Sequence, residues 1–449
     1  MIDATRDIPF PLVPVLSDPQ LPTEADVVVI GGGIVGVAAA YYLAKKGHRV
    51  ALVEKGRIGA EQSGRNWGWV RQQNRDEREL PLARWALESW GGLAEEIGAD
   101  LGFRRDGLIY LTDKPEELAG WEKWVNMAHG YQVHSHMLSA AEAGAMVPGS
   151  AGRWIGGVRS PTDGHAEPTM ASSALAEAAR RLGATIHQDC AARGMETQGG
   201  VVSAVVTEKG RIRTSSVLCA AGAWTSLFCR WHGVAFPQSG VRSTAFATLP
   251  GPAVIEGGLS TTGFSLRRRL DGGYSVAIRN RGRVEITPQG VRYARDFLPT
   301  LRERWSSSIS FGIGRSFVSG PEAVARWSLD TVSPFEKTRV LSPAADDPTI
   351  RAALDSLAKG FPALKGIGVA QRWGGWIDST PDAVAAIGPV PKLPGFFVAS
   401  GFSGHGFGIG PAAGRLAADL IAGDPPIVDP RPVRFTRFSE GAVGPPAAM

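Results

Sequence analysis

The stretch DVVVIGGGIVGVAAAYYLAKKGHRVALVE, residues 26–54, decides the fold of this chain. It opens with a β-branched run at 26–30 that is typical of a buried parallel strand. A helix is predicted over 37–46, because Gly47 follows it as a usual helix-ending residue, and a second strand over 48–54. A strand, a helix and a strand of this length predict a βαβ unit, the building block of an α/β protein.

The turn between the first strand and the helix carries three glycines, Gly31, Gly33 and Gly36, in the spacing GxGxxG. The first glycine allows a tight turn, the second lets a pyrophosphate approach the backbone, and the third lets the helix pack closely on the strand. Glu54 ends the second strand, where a carboxylate can accept both hydroxyls of an adenosine ribose. This combination predicts a bound dinucleotide.

The remainder of the chain favours FAD over NAD. Residues 55–73 form a polar, glycine-containing loop instead of the next βα unit that an NAD domain would have. The sequence AAGAW at 220–224 follows a predicted strand at 211–219. A predicted strand at 396–400 leads into the glycine-rich turn 401–408, which opens another helix.

These segments together resemble the glycine/D-amino acid oxidase family of FAD enzymes. The resemblance rests on the GxGxxG motif with its acidic residue, the AAGAW strand end, Thr380-Pro381-Asp382 and Gly404-His405-Gly406, and it covers residues 25–422. The stretch QSGRNWGWVR at 62–71 is most similar to a bacterial branch that includes L-amino acid oxidases and deaminases.

The resemblance implies an α/β fold with a Rossmann-like FAD-binding domain of the GR2 type and an inserted α+β substrate domain built on an antiparallel sheet. Residues 22–100, 150–230 and 366–425 are expected to form the FAD-binding domain, and residues 101–149 and 231–365 the substrate domain. Residues 1–21 and 426–449 are expected to be extended tails. The sequence itself predicts helices over 76–99, most of 115–147, and 168–182, and strands over 184–188, 201–207 and parts of 231–290.

The same resemblance implies which residues hold the cofactor. They are Gly31, Gly33, Ile34, Val35, Gly36, Glu54, Lys55, Gln62, Ser63, Arg65, Asn66, Gly222, Trp224, Gly375, Gly404, His405 and Gly406. We expect non-covalent FAD, because no cysteine lies between residues 230 and 449 and no histidine neighbours Asn66. His405 is expected to serve the turn that presents backbone N–H groups to the flavin rather than to act as a base.

Arginine is the best partner for a substrate carboxylate, because its planar fork binds both oxygens. Arg267 and Arg269 alternate onto one face of a strand-like run, and a solvated basic edge is the alternative for both. Arg71 stands where sarcosine-oxidase-like enzymes place a substrate-side arginine, with a structural ion pair as its alternative. Trp373 and Trp376 are candidate walls of an apolar pocket, or they pack in the core.

The implied reaction transfers hydride from the substrate α-carbon to flavin N5, giving an imine that hydrolyses to a 2-oxo acid and ammonia. Electrons pass to O₂, giving H₂O₂, or to another acceptor. The expected substrates are L-amino acids with large apolar side chains. A D-amino acid or N-methyl amine enzyme of the same family is the nearest alternative, and a non-catalytic FAD-binding subunit is the alternative of another class.

Composition excludes several other classes of protein. The net charge is only +5 and the densest basic cluster is 267–269, so a nucleic-acid partner is not expected. The three cysteines have no metal-like spacing, so neither a metal site nor a disulfide framework is expected, and a cytoplasmic location fits. The uncharged run 27–44 contains the glycine turn, so no integral membrane segment is expected. The sequence leaves a homodimer open.

Overall fold

The computed structural model describes residues 8–303, 309–314, 316–323 and 326–446. It confirms the predicted unit around the glycine motif as strand Val27–Ile30, helix Ile34–Lys45 and strand Val50–Val53. The helix begins three residues earlier than predicted, because the extended backbone of Gly33 serves as its N-cap. Both strands are buried along their whole length, as expected for strands covered on both faces.

All strands and helices, including these three, are numbered in chain order. The strands of the described residues are β1 (Val27–Ile30), β2 (Val50–Val53), β3 (Trp69–Val70), β4 (Leu108–Thr112), β5 (His136–Ser139), β6 (Gly156–Ser160), β7 (Gly164–His165), β8 (Thr185–His187), β9 (Ala192–Gln198), β10 (Val201–Thr207), β11 (Gly210–Arg213), β12 (Ser216–Cys219), β13 (Ser239–Thr248), β14 (Gly258–Ser260), β15 (Ser265–Arg268), β16 (Tyr274–Ala277), β17 (Gly282–Ile286), β18 (Ile309–Ile313), β19 (Val369–Ser379), β20 (Ala386–Pro389) and β21 (Phe396–Ser400). The α-helices are α1 (Ile34–Lys45), α2 (Gln62–Arg65), α3 (Leu80–Ile97), α4 (Pro115–His129), α5 (Ala140–Met146), α6 (Pro168–Arg181), α7 (Thr225–Trp231), α8 (Pro288–Arg292), α9 (Leu298–Glu303), α10 (Ser316–Ser319), α11 (Pro334–Lys337), α12 (Asp347–Gly360) and α13 (Gly406–Ala422).

A six-stranded sheet in the order β20-β21-β12-β1-β2-β8 carries the glycine motif. Its strands run parallel except β20, which is antiparallel to β21. Side chains alternate along β1, so Val27 and Val29 join a core with α1, α3, α6 and α13, whereas Val28 and Ile30 join a second core on the opposite face. This sheet has the doubly covered arrangement expected of a Rossmann-like domain.

The second large sheet follows the order β18-β17-β13-β16-β15-β14-β4-β6-β5, with β19 on the other edge of β13. Its pairs are antiparallel except β4 with β14 and β17 with β18. The predicted domain boundaries assigned β6 and β19 to the FAD-binding domain, but both strands lie in this second sheet. The reason is pairing: β6 lies between β4 and β5, and β19 follows β13 over nearly its whole length.

The predicted extended tails are more firmly attached than their composition indicated. Phe10 is buried with its ring centroid 5.9 Å from that of Trp373. At the other end, buried Arg437 donates to both carboxylate oxygens of Asp382, at 2.9 and 3.0 Å. Residues 1–7 and 447–449 of the two tails lie outside the described residues.

Within the described ranges, none of the helices is both long enough and apolar enough to span a bilayer.

Candidate active site

The glycine turn after β1 is packed so closely that side chains do not fit. Gly31 has φ +110°, and a Cβ atom there would lie 2.5 Å from the carbonyl oxygen of Ala220. A Cβ atom on Gly36 would lie 2.0 Å from the carbonyl oxygen of Gly31. The turn therefore presses α1 against the ends of β1 and β12, while its other residues line a large cavity.

Glu54 stands at the end of β2 beside this turn. Its carboxylate oxygens accept backbone N–H bonds from Gly32 and Gly56, each at 2.7 Å. Burial raises the pKa of Glu54, against the charge of Lys55 and the two N–H donors. The side chain is thus fixed at the cavity wall with oxygens suited to accept hydroxyl hydrogen bonds.

The segment containing α2 forms the next part of the wall. Ser63 accepts the N–H of Ile34, the first residue of α1, at 2.9 Å. Arg65 donates to the carbonyl oxygen of Gly374 at 2.9 Å and is buried. Asn66 donates to the carbonyl oxygen of Ser63 at 2.6 Å. These bonds hold the segment between α1 and β19.

Lys55 is also occupied by protein groups. Its ammonium lies 2.6 Å from Glu61 Oε1 and 4.3 Å from the centroid of a Trp224 ring. Trp224 in turn donates its indole N–H to Glu61 Oε2 at 3.0 Å.

One cavity brings together nearly all the residues predicted from the sequence. Those that line it are Gly31, Gly33, Ile34, Val35, Glu54, Lys55, Gln62, Ser63, Arg65, Asn66, Arg71, Gly222, Trp224, Trp373, Gly375, Trp376, Gly404, His405 and Gly406. Gly36 is not in the lining and contributes through packing alone. Trp373 has a packing role as well, because it contacts Phe10 and donates to the carbonyl oxygen of Arg65 at 2.9 Å.

His405, just before α13, has a partner that the sequence did not indicate. Its Nδ1 lies 3.0 Å from Glu79 Oε2, and both side chains are buried. Burial, followed by the charge of Arg75, lowers the pKa of His405 to about 4. Burial would raise the pKa of Glu79, but His405 and Arg75 outweigh it and lower that pKa. A neutral imidazole therefore donates from Nδ1 to a carboxylate, which leaves Nε2 as a hydrogen-bond acceptor.

Two predicted substrate arginines do not reach the cavity. Arg267 is buried in an ion pair with Glu167, with nitrogen–oxygen distances of 2.8 and 3.2 Å, and donates to the carbonyl oxygen of Trp67 at 2.7 Å. Arg269 forms an ion pair with Asp271 at 2.9 Å. Neither residue belongs to the cavity lining, so the expectation that one of them meets the substrate is corrected. The alternation along the strand indicated that the two arginine side chains share a face, but it did not indicate which residues that face contacts.

Other arginines line the cavity instead. Arg71, the third arginine named from the sequence, is among them, together with Arg75, Arg279 and Arg281. Arg279 and Arg281 flank Asn280, which has φ +57° in the short connection between β16 and β17, two strands that both pair with β13. A turn-forming asparagine between two arginines was the signal in the sequence that could have revealed this pair.

Comparison with known proteins places these features in context. The sequence model described as DAO, FAD dependent oxidoreductase, matches residues 26–420. The L-amino acid deaminase of Proteus myxofaciens, solved in complex with anthranilate, is similar with a TM-score of 0.91 and 30% identity, over 95% of this chain and 96% of that chain. These findings confirm the family resemblance and the fold that the sequence indicated.

Relatives of other names are similar at lower identity. The 4-methylaminobutanoate oxidase (formaldehyde-forming) of Paenarthrobacter nicotinovorans is 26% identical, over 97% of this chain and 48% of the oxidase. Mitochondrial sarcosine dehydrogenase of Mus musculus is 28% identical, over 95% of this chain and 43% of the dehydrogenase. The chain thus spans about half the length of these curated relatives.

Proposed function

Because this chain belongs to the DAO family of FAD-dependent oxidoreductases, we propose that it oxidises the amine of an amino acid with FAD held non-covalently. The observation that carries the proposal is that one cavity joins the glycine turn and Glu54 to a wall containing His405 and several arginines. A cofactor-binding end and a substrate-binding end are thereby continuous.

The residues present fit an extended dinucleotide. The turn at 31–35 offers backbone and the N-terminus of α1 to a pyrophosphate, and Cβ atoms at Gly31 and Gly32 would clash with neighbouring protein atoms. Glu54 would accept the ribose hydroxyls, and the segments 62–66 and 404–406 would face the flavin. Non-covalent attachment is supported because no cysteine is among the described residues that line the cavity, and the lining histidine is bonded to Glu79.

When bound, FAD supplies a two-electron acceptor that takes the α-hydrogen of the amine as hydride. The chain would position the substrate for this step. Arg279 is proposed to bind the carboxylate, since it lines the cavity with its Nε held by the carbonyl oxygen of Thr261 at 3.2 Å and Nη2 by Glu117 at 2.6 Å. Those two contacts fix the plane of the guanidinium, which favours a bidentate partner.

L-Amino acids are the proposed substrates, on the strength of the 30% identity to a deaminase named for them. The predicted preference for large apolar side chains is not carried into the proposal, because arginines line the substrate end of the cavity. An N-methyl amine is the second candidate, favoured by the similarity to the methylaminobutanoate oxidase and sarcosine dehydrogenase.

The test is an anaerobic visible spectrum of the purified holoprotein before and after addition of separate pools of L-amino acids, D-amino acids and N-methyl amino acids. Bleaching of the flavin band by the L pool, with release of ammonia and a 2-oxo acid, is the expected result. Bleaching by the N-methyl pool alone, with release of formaldehyde, would establish the second candidate. A flavin band that no pool bleaches would contradict both. Release of the flavin on acid precipitation would test its non-covalent attachment.

A further inference from the structure

Three arginines gather around one aromatic residue at the substrate end of the cavity. The guanidinium carbons of Arg71 and Arg279 each lie 5.9 Å from the centroid of the Tyr110 ring. Arg75 follows Arg71 by four residues, and all three arginines and Tyr110 line the cavity. The positive charges are therefore collected in one small region.

The three guanidinium groups differ in how the protein uses them. Arg279 is bonded to Thr261 and Glu117, and Arg71 donates Nη1 to the carbonyl oxygen of Gln73. Arg75 is only 3% exposed, yet its Nε and Nη1 have no hydrogen-bond partner among the described residues. Burial and the charge of Arg71 lower the pKa of Arg75 to about 9, although the charges of Glu79 and Asp163 oppose part of this shift.

The nearby acids do not supply the missing partner. Asp163 accepts the backbone N–H groups of Gln72 and Gln73, at 2.9 and 3.0 Å. Glu79 is bonded to His405, and Glu117 to Arg279. None of these carboxylates is in the lining of the cavity, whereas Arg75 is.

A buried charge without a partner is costly, so a site that retains one favours a ligand that pairs with it. A single arginine satisfies one carboxylate with two parallel hydrogen bonds. If Arg279 binds the α-carboxylate of an amino acid, that carboxylate leaves Arg75 without a partner. A second anionic group on the substrate would remove the free-energy cost of leaving the buried guanidinium of Arg75 without a hydrogen-bond partner.

We propose that the substrate is an amine with two carboxylates, and that Arg75 receives the carboxylate that lies beyond the α-carbon. This inference rests on the proposed function and adds the class of substrate. The second carboxylate belongs to the side chain, as in an acidic amino acid, or to a substituent on the amine. Arg71, beside Arg75, adds a favourable charge but is already bonded to the main chain.

The experiment uses the holoprotein in two assays. Anaerobic flavin reduction compares L-glutamate and L-aspartate with L-leucine and L-phenylalanine, and kcat/KM is expected to be at least tenfold higher for the acidic pair. Perturbation of the flavin absorbance then reports the binding of glutarate and butyrate, which have no amine to be oxidised. Glutarate should bind at least tenfold more tightly, because the free energy of a hydrogen bond to a charged group corresponds to a tenfold or larger change in Kd.

Variants connect the effect to Arg75. Arg75→Gln should raise Kd for glutarate about tenfold and leave the Kd for butyrate nearly unchanged, while Arg75→Lys should retain part of the preference. Arg372→Gln is the matched control, because Arg372 is exposed and lies outside the cavity lining.

Three outcomes would overturn the inference. They are faster reduction by the neutral amino acids, equal binding of glutarate and butyrate, and an Arg75→Gln variant that holds FAD more weakly but, once saturated with added FAD, binds glutarate as tightly as the wild type. The last would mean that Arg75 serves the cofactor. If no amine reduces the flavin, the proposed function fails, while the comparison of glutarate with butyrate still tests the anion site.

Discussion

Among the single residues, the arginines show most directly what a sequence pattern can and cannot indicate. We expect Arg279→Gln to raise KM for the amino acid at least tenfold, because it removes two parallel hydrogen bonds to a carboxylate. Arg269→Gln should leave KM nearly unchanged, because Arg269 is paired with Asp271 outside the cavity. Steady-state measurements of KM for the two variants decide which of the two arginines binds the substrate carboxylate. A larger effect at Arg269 would restore the assignment made from strand alternation.

His405 should give the stability of the protein a characteristic pH dependence. Burial and the charge of Arg75 lower its pKa to about 4, so the folded state binds this proton more weakly than the unfolded chain. The stabilising contribution is therefore complete above about pH 6.5 and is lost as the pH falls toward 4. The loss should approach roughly 3 kcal/mol, as judged from the size of the shift.

Urea unfolding at pH 7 and pH 4.5 measures this contribution. The difference in unfolding free energy between the wild type and His405→Gln should decrease at the lower pH. His136→Gln, on the exposed side of β5, is the control and should follow the wild type at both values. Parallel behaviour of the wild type and His405→Gln would show that the imidazole is not held neutral by its surroundings.

The residues predicted for the cofactor could be expected to share one cavity because the motif specifies backbone geometry. Gly31 and Glu54 have positions that the GxGxxG spacing determines, and the structure puts both at the cavity. Glu79 and Arg75 could not be predicted in this way. Their roles come from helices and turns far apart in sequence that meet at His405, and no local pattern marks such a contact.

Within the helices and strands, the contact between α1 and the glycine turn gives a sharp test. Gly36→Ala places a methyl group 2.0 Å from the carbonyl oxygen of Gly31, so the helix must move away from the turn. We expect a loss of about 1–3 kcal/mol in unfolding free energy and a lower flavin content. Gly92→Ala is the matched control in α3, where a Cβ atom meets nothing within 4 Å. It should stabilise the protein by up to about 1 kcal/mol, since alanine is the better helix former.

Flavin absorbance per protein and urea unfolding are the two measurements for this glycine pair. An equal flavin content in both variants would show that the close approach of α1 is not needed for the cofactor.

The ion pair between Arg267 and Glu167 joins β15 of the second sheet to the start of α6, which packs under the first. Removing one partner leaves a buried charge, so Arg267→Met should cost about 3–5 kcal/mol. The double variant Arg267→Met, Glu167→Met should recover part of that loss, since no charge then remains buried. Arg372→Met, in an exposed pair with Asp347, should change stability little. If the double variant is no better than the single one, hydrogen bonds to Trp67 and Leu270 explain the effect instead.

Element types were largely predictable, whereas sheet membership was not. The strand predicted over 211–219 is two strands, β11 and β12, which belong to different sheets. The region 115–147, which was predicted to be mostly helical, contains α4 and α5 with the strand β5 between them. Local hydrophobic patterns identify buried segments, but the partner strand is chosen by pairing across the fold, as for β6 and β19.

At the scale of the whole molecule, the N-terminal segment packs against the outer side of the candidate active site. The ring of Phe10 lies 5.6 Å from the guanidinium carbon of Arg65 and 5.9 Å from the ring of Trp373. A Cβ atom on Gly64 would lie 2.7 Å from the same ring, so Phe10 fills the space beneath α2. The N-terminal segment, which was predicted from its composition to be an extended tail, therefore supports a wall of the cavity and the strand β19.

Phe10→Ala should consequently affect both stability and cofactor retention. Deleting a buried phenylalanine ring costs about 3 kcal/mol or more, and here the cavity left behind would loosen the segment that we propose faces the flavin. Leu16→Ala is the control in the same tail, because Leu16 is 67% exposed. We expect the Kd for FAD, measured by quenching of flavin fluorescence on reconstitution of the apoprotein, to rise for Phe10→Ala and not for Leu16→Ala. A stability loss without any change in that Kd would mean that the tail supports the fold of the second sheet but not the cofactor wall.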